Sequence, residues 1–152
     1  MTDLRTHLFR LWFRLSRPMT LGARAIIENS DGQILLVRHT YTKGLYLPGG
    51  GVESGETVRQ TICKELHEEA GIHVTGAPVQ IGIYSNHNIM RNDHVVLFRL
   101  DAGAWEQAGQ PDAREISETI WCDPLNPPAD ATPATKRRLK EQFGDAQPSD
   151  YW

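Results

Sequence analysis

Hydrophobic positions in the first 17 residues recur with helical spacing and predict an amphipathic helix that Pro18 ends. Its apolar face consists of Leu4, Leu8, Leu11, Trp12 and Leu15. Its opposite side carries Arg10, Arg14 and Arg17. We expect the apolar face to pack on the chain's own core or in a homodimer, because amphipathic helices ordinarily face a core. Contact of residues 1–17 with a membrane surface is the less favoured alternative.

Runs of apolar and β-branched residues further along the chain predict strands. They cover residues 23–28, 33–38, 80–85, 94–100 and 119–122. The sequence Asn29-Ser30-Asp31-Gly32 lies between the first two runs, and its Asp-Gly step is typical of a hairpin turn. Another apolar stretch at 45–48 leads into three consecutive glycines at 49–51.

Two further helices are predicted from composition and capping residues. One spans about 57–70 and ends at Gly71, and the other runs from Thr132-Pro133 to about Phe143. The mixed order of strands and helices predicts an α/β (α+β) sandwich. We divide the chain into a basic helix at 1–19, one domain at 20–143 and a tail at 144–152, in which we expect little order.

The chain has 152 residues, of which 39% are hydrophobic and 23% charged. This length and composition predict one globular domain. No apolar run reaches the roughly 18 residues of a membrane span, and the early arginines argue against a secretory signal, so we expect a cytoplasmic protein. Cys63 and Cys122 form neither a disulfide framework nor a zinc-binding pair. A net charge of −3 excludes a generally basic nucleic-acid binder.

Charge is unevenly distributed along the chain. Residues 1–24 hold five arginines against one acid, a net charge of +4. Residues 50–72 hold five glutamates against Arg59 and Lys64, a net charge of −3. An anionic ligand would therefore enter the second segment only together with a cation.

Three glutamates of the predicted 57–70 helix share one face, namely Glu65, Glu68 and Glu69. The adjoining stripe of Val58, Ile62 and Leu66 must face the core, so the carboxylates lie on its border, where their repulsion favours a bound cation. Taken alone, the glutamates fit a solvated acidic face better. The glycines at 49–51 favour a metal-phosphate site instead, because they allow close backbone approach. Oxygen ligands favour Mg²⁺ or Mn²⁺ over zinc.

The segment 50–72 reads Gly50-x5-Glu56-x7-Lys64-Glu65-Leu66-x-Glu68-Glu69-x-Gly71-Ile72. This pattern resembles the 23-residue signature of the Nudix hydrolase family at every fixed position except Lys64, where the family has Arg. The preceding Leu47-Pro48-Gly49-Gly50 and the later segment 121–125 extend the resemblance to about residues 20–143.

The resemblance implies a Nudix-like α/β/α sandwich with a mixed β-sheet. It also implies Mg²⁺-dependent hydrolysis of a phosphoanhydride bond in a nucleoside diphosphate-linked compound, with Mn²⁺ as the alternative ion. Metal ligands would be Glu65, Glu68, Glu69 and the Gly49 carbonyl, with one glutamate activating water. Glu56 would support the substrate-binding loop or the outer shell. Lys64 cannot reproduce the bidentate contact of Arg, and we interpret it as a tolerated substitution that keeps the charge.

Residues outside the signature complete the expected site. Glu115, preferred over Glu118, is a candidate further metal ligand or base, with an ordinary loop charge as the equal alternative. Gly50, Gly51, Arg91 and His39 are candidate substrate contacts, although a lone His is more often structural. The competing hypothesis is a non-catalytic Nudix-like domain that binds or senses a nucleotide.

Overall fold

The computed structural model describes residues 4–152. Three α-helices lie in this part of the chain, at α1 (Leu4–Ser16), α2 (Val58–Ala70) and α3 (Pro133–Phe143). The strands are β1 (Thr20–Ile27), β2 (Ile34–His39), β3 (Gly49–Gly51), β4 (Ile72–Val74), β5 (Val79–Ser85), β6 (Asp93–Leu100), β7 (Trp105–Gln107) and β8 (Ile116–Cys122).

The central sheet has four strands in the order β3-β1-β6-β5. Strands β1 and β6 are parallel, while the β1–β3 and β5–β6 pairs are antiparallel, so the sheet is mixed. Antiparallel pairs β2–β8 and β4–β7 lie outside it. Helices and a mixed sheet confirm the fold class predicted from the order of elements.

Strand β1 contributes to the core on both of its faces. Ala23, Ala25 and Ile27 pack with Ile62 and Leu66 of α2. Its opposite face contributes Ile26, which shares a second buried cluster with residues of β2 and α3. Burial on both faces explains why this strand reads as a nearly continuous apolar run.

Helix α2 is fixed at both ends by the residues that the sequence indicated. The Thr57 hydroxyl accepts from the Gln60 amide at 3.2 Å, and the Gln60 side chain accepts from the Thr57 amide at 2.9 Å. Gly71 ends the helix in the left-handed region, with φ 64°. Ile62 and Leu66 are fully buried, which confirms the predicted core-facing stripe.

The prediction that β1 and β2 pair as a hairpin is wrong, except next to the turn itself. A single antiparallel bridge joins Glu28 and Ile34, and β2 then pairs with β8 in a separate sheet. The reason is that β3 and β6 already occupy both edges of β1. The sequence also did not predict β4 and β7, because strands of three residues are too short to show a period.

The expectation that α1 packs on the chain's own core is wrong. Five of its apolar side chains are exposed by 53% or more, namely Leu8, Phe9, Leu11, Trp12 and Leu15, and Phe13 is exposed by 37%. Elements α2 on one side and β2 with α3 on the other already cover β1 and β6. Among the described residues, no helix is long and apolar enough to cross a membrane.

The tail after α3 makes defined contacts, so the prediction that it has little order is also wrong. The Trp152 amide donates to the Ser85 carbonyl at 2.9 Å, so the tail runs along the end of β5. Arg138 is fully buried, with its guanidinium 4.0 Å from the centroid of the Tyr84 ring and 5.6 Å from that of Trp152. These long-range contacts depend on an aromatic and a cation that composition alone does not bring together.

Deleting residues 1–17 should leave the free energy of unfolding nearly unchanged, because the described side chains of α1 bury little surface in this chain. Chemical denaturation followed by circular dichroism measures it. The control is Leu139→Ala, which should cost roughly 2–5 kcal/mol because Leu139 is fully buried. An equally large loss in the deletion would show that α1 packs on the domain.

Candidate active site

Glu69 is a buried carboxylate that faces the glycine loop. It is 3% exposed, and its Oε2 accepts a hydrogen bond from the Gly49 amide at 2.8 Å. Burial raises the pKa of Glu69 to about 7, although the Arg24 charge and the Gly49 amide oppose that rise. A cation beside Glu69 would stabilise its ionised form, so this carboxylate fits a metal ligand.

Glu65 lies one turn earlier and is half-buried. Burial first and the Glu68 charge second raise the pKa of Glu65, which shows the predicted repulsion between neighbouring carboxylates. Glu68 itself is exposed. In the described part of the chain, no three Asp, Glu, His or Cys side chains already converge on one metal-binding point.

The glycines of β3 bring backbone directly against these carboxylates. Gly49 has φ 139°, and a Cβ there would lie 2.0 Å from the Ala23 carbonyl oxygen. A Cβ on Gly50 would lie 2.5 Å from the Glu65 carboxylate. Only glycine therefore fits at Gly49, whereas a side chain at Gly50 would displace the Glu65 carboxylate. Backbone and carboxylate oxygens next to an uncompensated buried carboxyl fit a hard divalent cation such as Mg²⁺.

Lys64 holds the loop before α2 rather than the three helix glutamates. Its Nζ donates to Glu56 Oε1 at 2.7 Å and lies 3.7 Å from Glu53 Oε2. The other Glu56 oxygen accepts from the Thr61 hydroxyl at 2.7 Å. The structure thus places Glu56 as a support of the loop. An ammonium can make these contacts without a bidentate fork, so Lys64 keeps an ion pair with Glu56 where the family has Arg.

The loop before β8 lies beside α2, and it carries Glu115. The Asp112 amide donates to the Glu68 carbonyl, and the Thr40 amide donates to the Glu115 carbonyl, both at 2.8 Å. The Glu115 charge helps to raise the pKa of Glu65 and Glu69. Glu118 instead pairs with Arg38 at 2.7 Å. Glu115 therefore lies in a loop tied to α2 and its charge acts on Glu65 and Glu69, whereas Glu118 is paired with Arg38.

His39 lies beside Glu69 in the interior. Its Nδ1 is 3.6 Å from Glu69 Oε1 and has no hydrogen-bond partner among the described residues. Burial first, then the Arg24 charge, lowers the pKa of His39, so the neutral ring is favoured. His39 is 5% exposed, a position that suits support of Glu69 better than direct contact with substrate.

The structure adds Arg24, which the sequence did not single out. Two cavities of about 830 and 520 Å³ share Arg24, Asn86 and Trp152 as lining residues. The smaller one is also lined by Gly50 and Gly51, and Gly50 lies against the Glu65 carboxylate as well. Arg91 is exposed in the loop between β5 and β6.

Arg24 lies in the middle of a buried strand, and its Nη1 donates to the Leu47 carbonyl at 3.1 Å. Its register partner across the sheet is Gly49, so the cation lies beside the glycine loop. A single arginine within the apolar run 23–27 was the available signal, because a charge in a buried strand usually has a specific role. We counted Arg24 only in the positive charge of residues 1–24, so its position in the cleft was not predicted.

The chain is similar in sequence and in fold to several known proteins. A model of the NUDIX domain matches residues 18–143. An 8-oxo-dGTP diphosphatase from Haemophilus influenzae is 31% identical over 66% of this chain and 74% of that protein. An ADP-ribose pyrophosphatase from Methanocaldococcus jannaschii is 34% identical over 68% of this chain and 63% of that protein. A MutT Nudix hydrolase from Burkholderia pseudomallei has a TM-score of 0.65 at 26% identity, covering 80% of this chain and 95% of that chain.

Gly50→Ala should weaken Mn²⁺ binding roughly tenfold or more, because its Cβ would displace the Glu65 carboxylate. Isothermal titration calorimetry measures the affinity. Gly51→Ala is the matched control for metal binding, since a Cβ there meets nothing within 4 Å. Equal Mn²⁺ affinity in the two variants would remove Glu65 from the metal site.

Proposed function

Because this chain belongs to the Nudix family, as the pattern of residues 50–72 predicted, we propose that it hydrolyses a phosphoanhydride bond of a nucleoside diphosphate-linked compound with the help of Mg²⁺ or Mn²⁺. The observation that carries the proposal is the buried Glu69 carboxylate held against the Gly49 amide, beside half-buried Glu65 and a cleft. Such a carboxylate stays ionised at neutral pH most readily when a cation is bound.

Glu65, Glu69, Glu68 and the Gly49 carbonyl would hold the metal. When bound, a divalent cation neutralises the pyrophosphate and makes a coordinated water more acidic. The Gly49 amide fixes the orientation of Glu69 before substrate arrives, and Lys64 fixes the preceding loop through Glu56. Preorganised ligands of this kind reduce the cost of reorganisation during the reaction.

Glu115 is our candidate for the residue that removes a proton from the attacking water or completes the metal site. It is exposed in the loop tied to α2, and its charge acts on Glu65 and Glu69. An exposed carboxylate in this loop is accessible both to water and to substrate.

Arg24 is our candidate for binding a substrate phosphate, because a guanidinium in a cleft matches phosphate oxygens with two parallel donors. Gly50 and Gly51 would allow the phosphates to approach the backbone. Tyr46 and Trp152 line the larger cavity with Arg24 and offer aromatic surface for a nucleobase.

Glu69→Gln and Glu68→Gln should each lower kcat by about 100-fold or more with little change in stability, because an amide is a poor ligand for a hard cation. Nucleoside triphosphates, dinucleotide polyphosphates and nucleotide sugars should be screened with Mg²⁺ and with EDTA, with phosphate and mononucleotide products resolved. The matched control is Glu106→Gln, an exposed glutamate of β7. Turnover that persists in EDTA, or in both variants, would contradict the metal assignment. Nucleotide binding without turnover would support a sensor instead.

Lys64→Arg should preserve turnover, whereas Lys64→Ala should lower it roughly tenfold because the loop before α2 loses its contact with Glu56. Steady-state kinetics measures both, and thermal unfolding reports whether the loss is one of folding. If the alanine variant turns over as fast as the wild type, Lys64 does not orient the loop.

A further inference from the structure

Helix α1 presents an aromatic and leucine face to solvent. Phe9, Trp12 and Phe13 contact one another, with ring centroids 4.9 to 6.2 Å apart. The Arg17 guanidinium lies 4.7 Å from the centroid of the Phe13 ring. Aromatic rings beside arginines on one short helix match the region of a bilayer where acyl chains meet headgroups.

Charge separates α1 from the rest of the molecule. Residues 6–17 contain three arginines and no acid, whereas residues 25–152 carry 11 basic and 18 acidic side chains, a net charge of −7. An anionic surface would attract the helix and repel the domain. This distribution would hold the domain in water while α1 makes contact.

A second exposed element lies next to the end of α1. The Thr20 amide donates to the Asn92 carbonyl at 3.1 Å, which ties the β5–β6 loop to the start of β1. That loop exposes Ile89 and Met90, followed by the exposed Arg91. Met19, between α1 and β1, is exposed as well. The domain therefore has, next to α1, a second group of exposed apolar side chains beside an arginine.

We propose that α1 binds an anionic lipid bilayer, lying in its surface with the Leu8, Leu11, Trp12 and Leu15 face inserted and the arginines among the lipid phosphates. The helix has 13 residues and is therefore about 20 Å long, too short to cross the hydrocarbon region. A second copy is the less suitable occupant, because pairing through the apolar faces would leave the arginines on the opposite sides without an anionic partner. An anionic bilayer satisfies the apolar and the basic face at once.

Sedimentation of the full chain with lipid vesicles tests this proposal. The protein should pellet with phosphatidylcholine vesicles that contain phosphatidylglycerol and stay in solution with pure phosphatidylcholine, and 0.5 M NaCl should release it. Binding should shift the tryptophan emission to the blue, and Trp12→Phe should remove that shift while keeping most of the binding. Hydrolysis of a small nucleotide in solution should be unchanged in Trp12→Phe, so a failure of lipid binding says nothing about the proposed reaction.

Paired variants separate the two faces of α1. Arg10→Gln/Arg14→Gln and Leu11→Ser/Leu15→Ser should each weaken vesicle binding about tenfold or more. The matched controls are Lys43→Gln/Lys140→Gln, which removes two positive charges elsewhere, and Val79→Ser/Leu125→Ser, which removes two exposed apolar side chains elsewhere. Both should bind vesicles like the wild type. Equal pelleting with both lipid compositions would overturn the proposal, as would wild-type binding by the α1 variants. A lipid-free dimer that Leu11→Ser/Leu15→Ser dissociates would assign the face to a second copy instead.

Discussion

The contact between the glycine loop and α2 is the constraint on which the site depends. Gly49 pairs with Arg24 across the sheet while its amide donates to Glu69 on the helix, so one residue fixes the strand, the cation and the carboxylate together. No other side chain fits at Gly49 or Gly50 without moving Ala23 or Glu65. The burial that this close approach imposes on Glu69 is also what makes a metal ion favourable there.

Much of this arrangement could be predicted from the sequence because local rules determine it. The Thr57 cap, the Gly71 stop and the Ile62–Leu66 stripe fix the length and rotation of α2, and these place the glutamates on one face. The spacing of the signature residues then identified the family. Such features depend on neighbours within a few residues, where helical geometry is regular.

Long-range packing decided what the sequence did not reveal. Arg24 lines the cleft because β1 pairs with the glycine strand. Trp152 lines the same cleft because its ring packs edge-on against Tyr84 beside Arg138. The turn at 29–32 predicted a hairpin between β1 and β2. Because β3 and β6 pair with both edges of β1, β2 pairs in another sheet instead. The helical period of residues 4–15 predicted the apolar face of α1. A period of this kind does not indicate which surface contacts that face.

Anomalous diffraction from crystals soaked in Mn²⁺ would locate the ion independently of any assumption about turnover. We expect a peak in contact with the Glu65 and Glu69 carboxylates and the backbone of Gly49, with the Gly49 amide still bound to Glu69. A peak at another site, or none there at Mn²⁺ concentrations that saturate hydrolysis, would contradict it.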